Sequence, residues 1–245
     1  MKGLDISKWN KGISMPAIKQ AGYSFVIIRG GYTRYGDRSL VKDPCFDKFY
    51  QQAKKTGLGI GAYWYSCANS KKTGKAEAEF FYTNCLKGKK FDYPVYIDTE
   101  NPQWQSGNKK GTTEAVVAFC EYLEGKGYHV GVYASKSWFT DNMDLEKIKK
   151  YTKWVACWGK VKPDVNYKYD MWQYTDSATV GGKKVDANIC YVDFPNITRK
   201  KSNTDLAYEV INGRWGNGSE RKRRLTQAGY DCYSIQKIVN KILAR

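Results

Sequence analysis

From residue 2 to about residue 195, short apolar runs alternate with amphipathic segments, which restricts the chain to folds in which strands and helices take turns. Strand-like runs fall at 3–7, 23–29, 58–66, 92–100, 128–134, 153–157, 169–174 and 184–190. The run from Tyr23 to Arg29 is so uniformly apolar that it should be buried on both faces, as parallel strands covered by helices are. Helical patterns follow the early strands. One spans 15–21; one opens at Asp43 as N-cap with Pro44 at N1 and closes at Gly57. Another covers 75–86, and a fourth runs from a Thr112 or Thr113 cap through Leu123. Residues between Arg29 and Asp43, rich in Gly, Arg and Asp, read as a loop. About eight strands with about five helices describe a parallel α/β barrel or a close variant, though about 190 residues is small for a regular eightfold one. A doubly wound open sheet is the alternative, and no G-x-G-x-x-G or P-loop is present to support its usual nucleotide chemistry.

In a barrel the reactive groups gather where strands end. The strand ends here are Asp5, Arg29, Tyr65, Asp98, Glu100, Tyr133, Gln173 and Asp186, and four of these eight are acids with aromatic neighbours. Residues two apart on a strand share a face and sit ~6 to 7 Å apart, so Asp98 and Glu100 pair while Val95, Ile97 and Thr99 face the other way. Like charges that close, with partial burial, raise a carboxyl pKa and keep a proton available near neutral pH. An acid with a base or stabiliser is the minimum for cleaving a glycosidic bond. Aromatic rings and hydroxyls around such acids suit a sugar-binding cleft. Any one acid alone reads equally well as a cap or a loop ion pair.

The chain has 245 residues, 42% of them hydrophobic, which is ample for a buried core. No apolar run reaches 18 residues, so no membrane contact is expected. The N-terminus lacks an apolar signal segment, and synthesis and folding in a cytoplasm is the expectation. Seven cysteines without C-x-x-C pairs, and the single His129, show no zinc-ligand spacing. Reduced thiols, no metal and no cofactor follow as expectations, and a Cys/His nucleophile is disfavoured. The formal charge of +17 calls for an anionic partner or explains solubility. Nucleic acid is the first candidate, but basic residues scattered in ones and twos, without an RNA-binding or helix-turn-helix signature, read equally well as a solvated surface, and a polyanionic surface such as a bacterial cell wall fits as well.

Several short motifs occur in one order: Asp5 to Ser7, Tyr96 to Glu100, Gly131 to Tyr133, Trp172 to Tyr174 and Asp186 to Asn188. As a set they resemble glycoside hydrolase family 25, lysozymes common in bacteria and phage lysins. The resemblance implies a modified, flattened β/α barrel over 1–195 that hydrolyses the β-1,4 bond between N-acetylmuramic acid and N-acetylglucosamine in peptidoglycan. It further implies Glu100 as general acid, with Asp98 orienting the substrate N-acetyl group or stabilising the positive transition state. Asp5 and Asp186 would orient substrate or tune the pair, and Arg29, Tyr65, Tyr133, Trp172 and Gln173 would bind it. The acid spacing leaves retention or inversion open, because substrate-assisted enzymes are exempt from the distance rule.

After a polar, basic linker at 196–203, three helical segments follow at 206–211, from a Ser219 cap to Gln227, and at 233–243. They make a three-helix module over 204–245. Residues 197–245 hold 11 Lys and Arg against 4 Asp and Glu, a net charge of +7, so positive charge is densest here. The run from Leu206 to Gly218, with Arg221 to Leu225 and Ala228 to Tyr230, resembles the small cell-wall-binding repeat of phage lysins. Trp215, Asn217 and Arg221 are then the expected wall contacts. Taken together, the expectation is a two-part lytic enzyme that acts on the wall after release. Its expected partners are peptidoglycan and anionic wall polymers, with no nucleic acid and no membrane. A wall-binding protein without catalysis, or a nucleic-acid-binding protein, is the competing reading.

Overall fold

The computed structural model describes residues 1–198 and 202–244. Strand β2 (Phe25–Thr33) shows what the fold must cover. Phe25 and Ile27 point to one side, Val26 and Ile28 to the other, and all four are fully buried. A strand with two apolar faces needs a covering layer on each. The inner layer is the barrel interior itself, filled by Phe25, Ile27, Tyr96, Tyr133, Trp154 and Met171. The outer layer joins Val26, Ile28, Val95, Ile97, Val132 and Val155 to apolar residues of the surrounding helices.

The closed ring runs β1 (Lys2–Ile6), β2, β4 (Gly59–Ser66), β5 (Val95–Thr99), β6 (Val130–Ser135), β7 (Thr152–Ala156), β8 (Met171–Val180) and β9 (Lys183–Cys190), then back to β1. The first seven members are parallel neighbours, and β9 is antiparallel to both β8 and β1. The ring is therefore a barrel of eight strands but not an all-parallel one. A ninth strand, β3 (Leu40–Lys42), pairs antiparallel with the end of β2, in the segment read from sequence as loop. Gly181 and Gly182, with φ of 57° and 75°, make the two-residue turn from β8 into β9, a conformation that side-chain-bearing residues rarely adopt.

Helices α1 (Met15–Gln20), α2 (Phe46–Thr56), α3 (Lys71–Phe81), α4 (Lys109–Glu124), α5 (Lys136–Asn142) and α6 (Phe194–Thr198) complete this part. Three starts differ from the sequence reading. Helix α2 has Cys45 and not Asp43 at its N-cap, two residues beyond Asp43, whose two carboxyl oxygens are both engaged. One accepts from Arg29 Nε at 2.8 Å and Lys8 N at 3.1 Å, the other from Cys45 N at 2.9 Å. Helix α3 opens at Lys71 through a capping box of Ser70 and Thr73, and after Phe81 the chain passes through a π turn at Tyr82–Leu86. Helix α4 is capped by Asn108, while Thr112 and Thr113 are buried inside it and donate to the carbonyls of Gln105 and Lys109.

The chain divides into two compact units, the first being Met1–Thr198. The second contains α7 (Asn203–Ile211), α8 (Gly218–Gln227) and α9 (Cys232–Leu243) around Leu206, Val210, Leu225, Ile235 and Val239. Of the linker expected at 196–203, residues 196–198 belong to α6, Ser202 caps α7 and Asn203 begins it; 199–201 lie outside the described residues. Helix α8 starts at Gly218 after Asn217 and not at a Ser219 cap.

Helices α3 and α4 touch through backbone at Gly74, where an added Cβ would lie 2.2 Å from the Ala115 carbonyl oxygen. Gly to Ala inside a helix ordinarily stabilises by roughly 0.5 to 1 kcal/mol. At this site overpacking reverses the sign, and Gly74→Ala is expected to destabilise by about 1 to 3 kcal/mol in urea unfolding. An unchanged or raised midpoint would show that the two helices separate freely.

Candidate active site

Strand alternation delivers one acid after another to the barrel interior. On β5, Tyr96 and Asp98 face inward between the outward Val95, Ile97 and Thr99, and Glu100 follows the strand directly. On β1 and β9, Asp5 and Asp186 are register partners, and Asn188 follows Asp186 on the same inner face. The reversed strand β9 thus brings its acid against the acid of β1. On β4, Tyr63 and Tyr65 face inward, and Tyr65 pairs with Asp98, which pairs in turn with Tyr133.

These groups are wired together. Gln173 Nε2 donates to Asp5 Oδ2 at 3.1 Å and to Asp186 Oδ2 at 3.4 Å. Its Oε1 accepts from Tyr133 OH at 3.0 Å and Trp158 Nε1 at 3.1 Å, so both ends of the amide are fixed. Asn188 Nδ2 donates to Asp5 Oδ2 at 2.8 Å while its Oδ1 accepts from Trp154 Nε1, also at 2.8 Å. Asp98, 4% exposed, has a buried Oδ1 without a hydrogen-bond partner among the described residues. Beyond Glu100, fully buried Asn101 pins the loop: its N donates to Gln105 Oε1 at 2.9 Å, and its Oδ1 accepts from Gln103 N and Trp104 N.

Burial sets the electrostatics, and mutual repulsion adds to it. Burial pushes Glu100 up to about 7, with the Asp5 charge acting in the same direction. Asp186 is pushed up to about 8, first by burial and then by Asp5. Asp98 is raised well above the usual carboxylate range by burial and by Glu100, Asp5 and Asp186, with Arg29 opposing. Burial raises Asp5 as well, but the amides of Asn188 and Gln173 hydrogen-bond to it and favour its charged form. Such a cluster retains protons at neutral pH, and a carboxyl that is still protonated there is able to donate one.

Tyr65, Tyr133 and Gln173 stand beside the acids as their sequence positions imply, and Arg29 does so with its Nε committed to Asp43 at 2.8 Å and a buried Nη2 that has no hydrogen-bond partner among the described residues. Trp172 is not brought to the cluster. It lies between the inward Met171 and Gln173, so it faces outward, with Nε1 donating to Cys157 O at 2.7 Å and its ring against Tyr174. Four members were missed from sequence: Tyr63, Trp154, Trp158 and Asn188. Tyr63 and Asn188 share strand faces with Tyr65 and Asp186, a signal that was available; Trp158 sits in a loop where no periodicity points to it. His129 is remote from the acids, since it precedes β6 at the opposite end of the barrel, where it meets Thr152 Oγ1 at 3.1 Å and Phe194. Cys67 is buried and pushed up to about 12, which leaves an unreactive thiol.

In the second unit, Trp215 donates to Glu209 Oε2 at 3.0 Å and packs edge-on against Tyr230. Arg221 braces its surroundings through Gly216 O, Asn217 Oδ1 and Gln236 Oε1 at 3.1, 3.0 and 2.8 Å. Of the three expected wall contacts, Asn217 and Arg221 are bonded to each other, Trp215 is held by Glu209 and Tyr230, and Arg221 is committed to internal bonds.

This barrel resembles solved lytic enzymes. It superposes with a TM-score of 0.66 on the endolysin catalytic domain of a Listeria monocytogenes bacteriophage, at 27% identity over 81% of this chain and 96% of that one. With a bacterial lysozyme from Streptomyces coelicolor the TM-score is 0.65, at 26% identity over 81% and 95%. Residues 4–183 match the sequence family described as glycosyl hydrolases family 25, and the chain belongs to that family. Residues 204–243 match the CW_7 repeat. The chain is 32% identical over 189 residues to an autolytic lysozyme of Clostridium acetobutylicum, covering 77% of this chain and 55% of that protein. It is 28% identical over 241 residues to a lysozyme of Streptococcus phage Cp-7, covering 92% and 65%. The chain thus spans less than two thirds of the length of either relative.

Raised carboxyl pKa values mean that the folded state binds protons more tightly than the unfolded chain, so stability falls as pH rises from near 4 to about 8. Asp186→Asn removes one contributor. Its urea midpoint is expected to exceed that of the wild type at pH 8 and to match it at pH 4. An equal difference at both pH values would contradict the assignment of that shift to Asp186.

Proposed function

We propose that this protein is a peptidoglycan hydrolase that cleaves the β-1,4 bond between N-acetylmuramic acid and N-acetylglucosamine. The observation that carries the reading is the four-carboxyl cluster of a family 25 barrel, with Asp5 and Asp98 buried, Glu100 and Asp186 half-buried, and Glu100 held near pKa 7. Glu100, half-buried and free of hydrogen bonds among the described residues, donates its proton to the leaving glycosidic oxygen. Asp5, whose charged form two amides favour, keeps that proton on Glu100 by repulsion between carboxylates. Asp98 orients the substrate N-acetyl group or stabilises the oxocarbenium-like transition state, and Asp186 tunes the cluster. Tyr63, Tyr65, Tyr133 and Gln173 shape the pocket around the sugar.

The domain reading is a muramidase over 1–195 and a wall-targeting module over 204–245, supported by the CW_7 match. Tethering raises the local concentration of substrate, so even a weak binder contributes. Anionic wall polymers are the second partner, which the charge of +17 supports. The protein is made in the bacterial cytoplasm and acts on the wall after release, a route suggested by its likeness to a phage lysozyme.

Glu100→Gln is expected to clear suspensions of Gram-positive walls about 10² to 10⁴ times more slowly than wild type, the usual weight of a positioned acid. The wild-type rate is expected to fall as pH rises through about 7, where Glu100 loses its proton. Reducing-end analysis should find muramic acid ends. Equal clearing by the variant would remove Glu100 from its role; binding without clearing by wild type would favour a catalytically inactive wall-binding protein.

A further inference from the structure

A second concave region lies on the flank of the barrel, away from the acids. It is a groove of about 850 Å³ between the segment after β1 and helix α2, lined by Lys8, Trp9, Lys11, Lys48, Gln52 and Lys55 among others. No Asp or Glu is among its lining residues. None of the four lysines makes an ion pair with a described residue, although the neighbouring Asp47 takes both Lys42 and Lys89. Lys48 and Lys55 are seven residues apart on α2, so they share a face about 10 Å apart along the axis, with Gln52 between them. Trp9 is 78% exposed, with Lys8 Nζ 4.9 Å from its ring centroid. An indole left in water beside an ammonium group offers a sugar or polyol a stacking surface next to a positive charge.

We infer that this groove binds a linear phosphodiester polymer of the bacterial wall, built on a polyol or sugar backbone. The inference rests on the proposed wall partner and gives that partner a place in the catalytic unit. Charges repeating along a flexible chain match lysines at intervals along the groove, and Trp9 takes a backbone unit. Nucleic acid is the less suitable occupant, because single strands are held by several stacking aromatics in series and this groove exposes one. The first lining residue, Lys8, comes three residues after Asp5 in the chain, and none of the four acids lines the groove.

The test uses the full-length chain with Lys48→Ala and Lys55→Ala combined. Both side chains are exposed, so the variant should fold. Sedimentation with walls from one Gram-positive strain is measured before and after the phosphodiester polymers are stripped with cold hydrofluoric acid. Turnover of soluble muropeptide is measured in parallel and reports separately on the proposed muramidase activity. The variant is expected to bind native walls at least threefold more weakly than wild type, to match wild type on stripped walls, and to keep full soluble turnover. The loss should shrink with added salt, since ion release drives such contacts. Equal binding of variant and wild type to native walls would overturn the inference, as would an equal loss on stripped walls. Displacement from native walls by duplex DNA at lower phosphate concentration than by poly(glycerol phosphate) would overturn it in favour of nucleic acid.

Discussion

The site depends on the antiparallel strand β9, which fits between β8 and β1 and completes the barrel. Because β9 runs against its neighbours, Asp186 stands opposite Asp5 and Asn188 reaches the Asp5 carboxyl at 2.8 Å. A parallel strand at that place would carry its side chains past β1 in the other direction. Closure also excludes water from the inner layer, and the loss of water is the first cause of every carboxyl shift in the cluster. Fold and proton affinity therefore share one origin.

Within the cluster the four acids are unequal because their hydrogen bonds are unequal. Asp5 receives two amide donors; Asp98 has one oxygen buried with none among the described residues. Glu100 lies just beyond its strand, more open than Asp98 and followed by a pinned loop. Donors stabilise a carboxylate, burial without them stabilises the acid, and the same four side chains can hold different protonation states at one pH. Gln173 connects the parts, since both ends of its amide are engaged and its orientation is fixed.

Much of this was legible in the sequence where alternation alone decides the outcome. Asp98 and Glu100 on one face, Val95 and Ile97 on the other, and a β2 buried on both sides follow from a period of two. Trp172 was misplaced because it was assigned to the site together with its neighbour Gln173, and a strand shows only every second residue to one face. The reversal of β9 was available in Gly181 and Gly182, but the preceding strand had been ended at Tyr174, so the hairpin signal stood apart from any strand. The pairing of Asp43 with Arg29 is a long-range contact, which local sequence does not encode. Trp158 and β3 are set by tertiary packing for the same reason.

The central claim is that enclosure by the barrel holds a proton on Glu100 at neutral pH. The direct measurement is a titration of the Glu100 side-chain carboxyl by carbon-13 NMR in the intact protein. The account predicts a midpoint of about 7 that moves down when Asp5 is replaced by Asn. A midpoint near the ordinary value of 4.5, unmoved by that replacement, would contradict it.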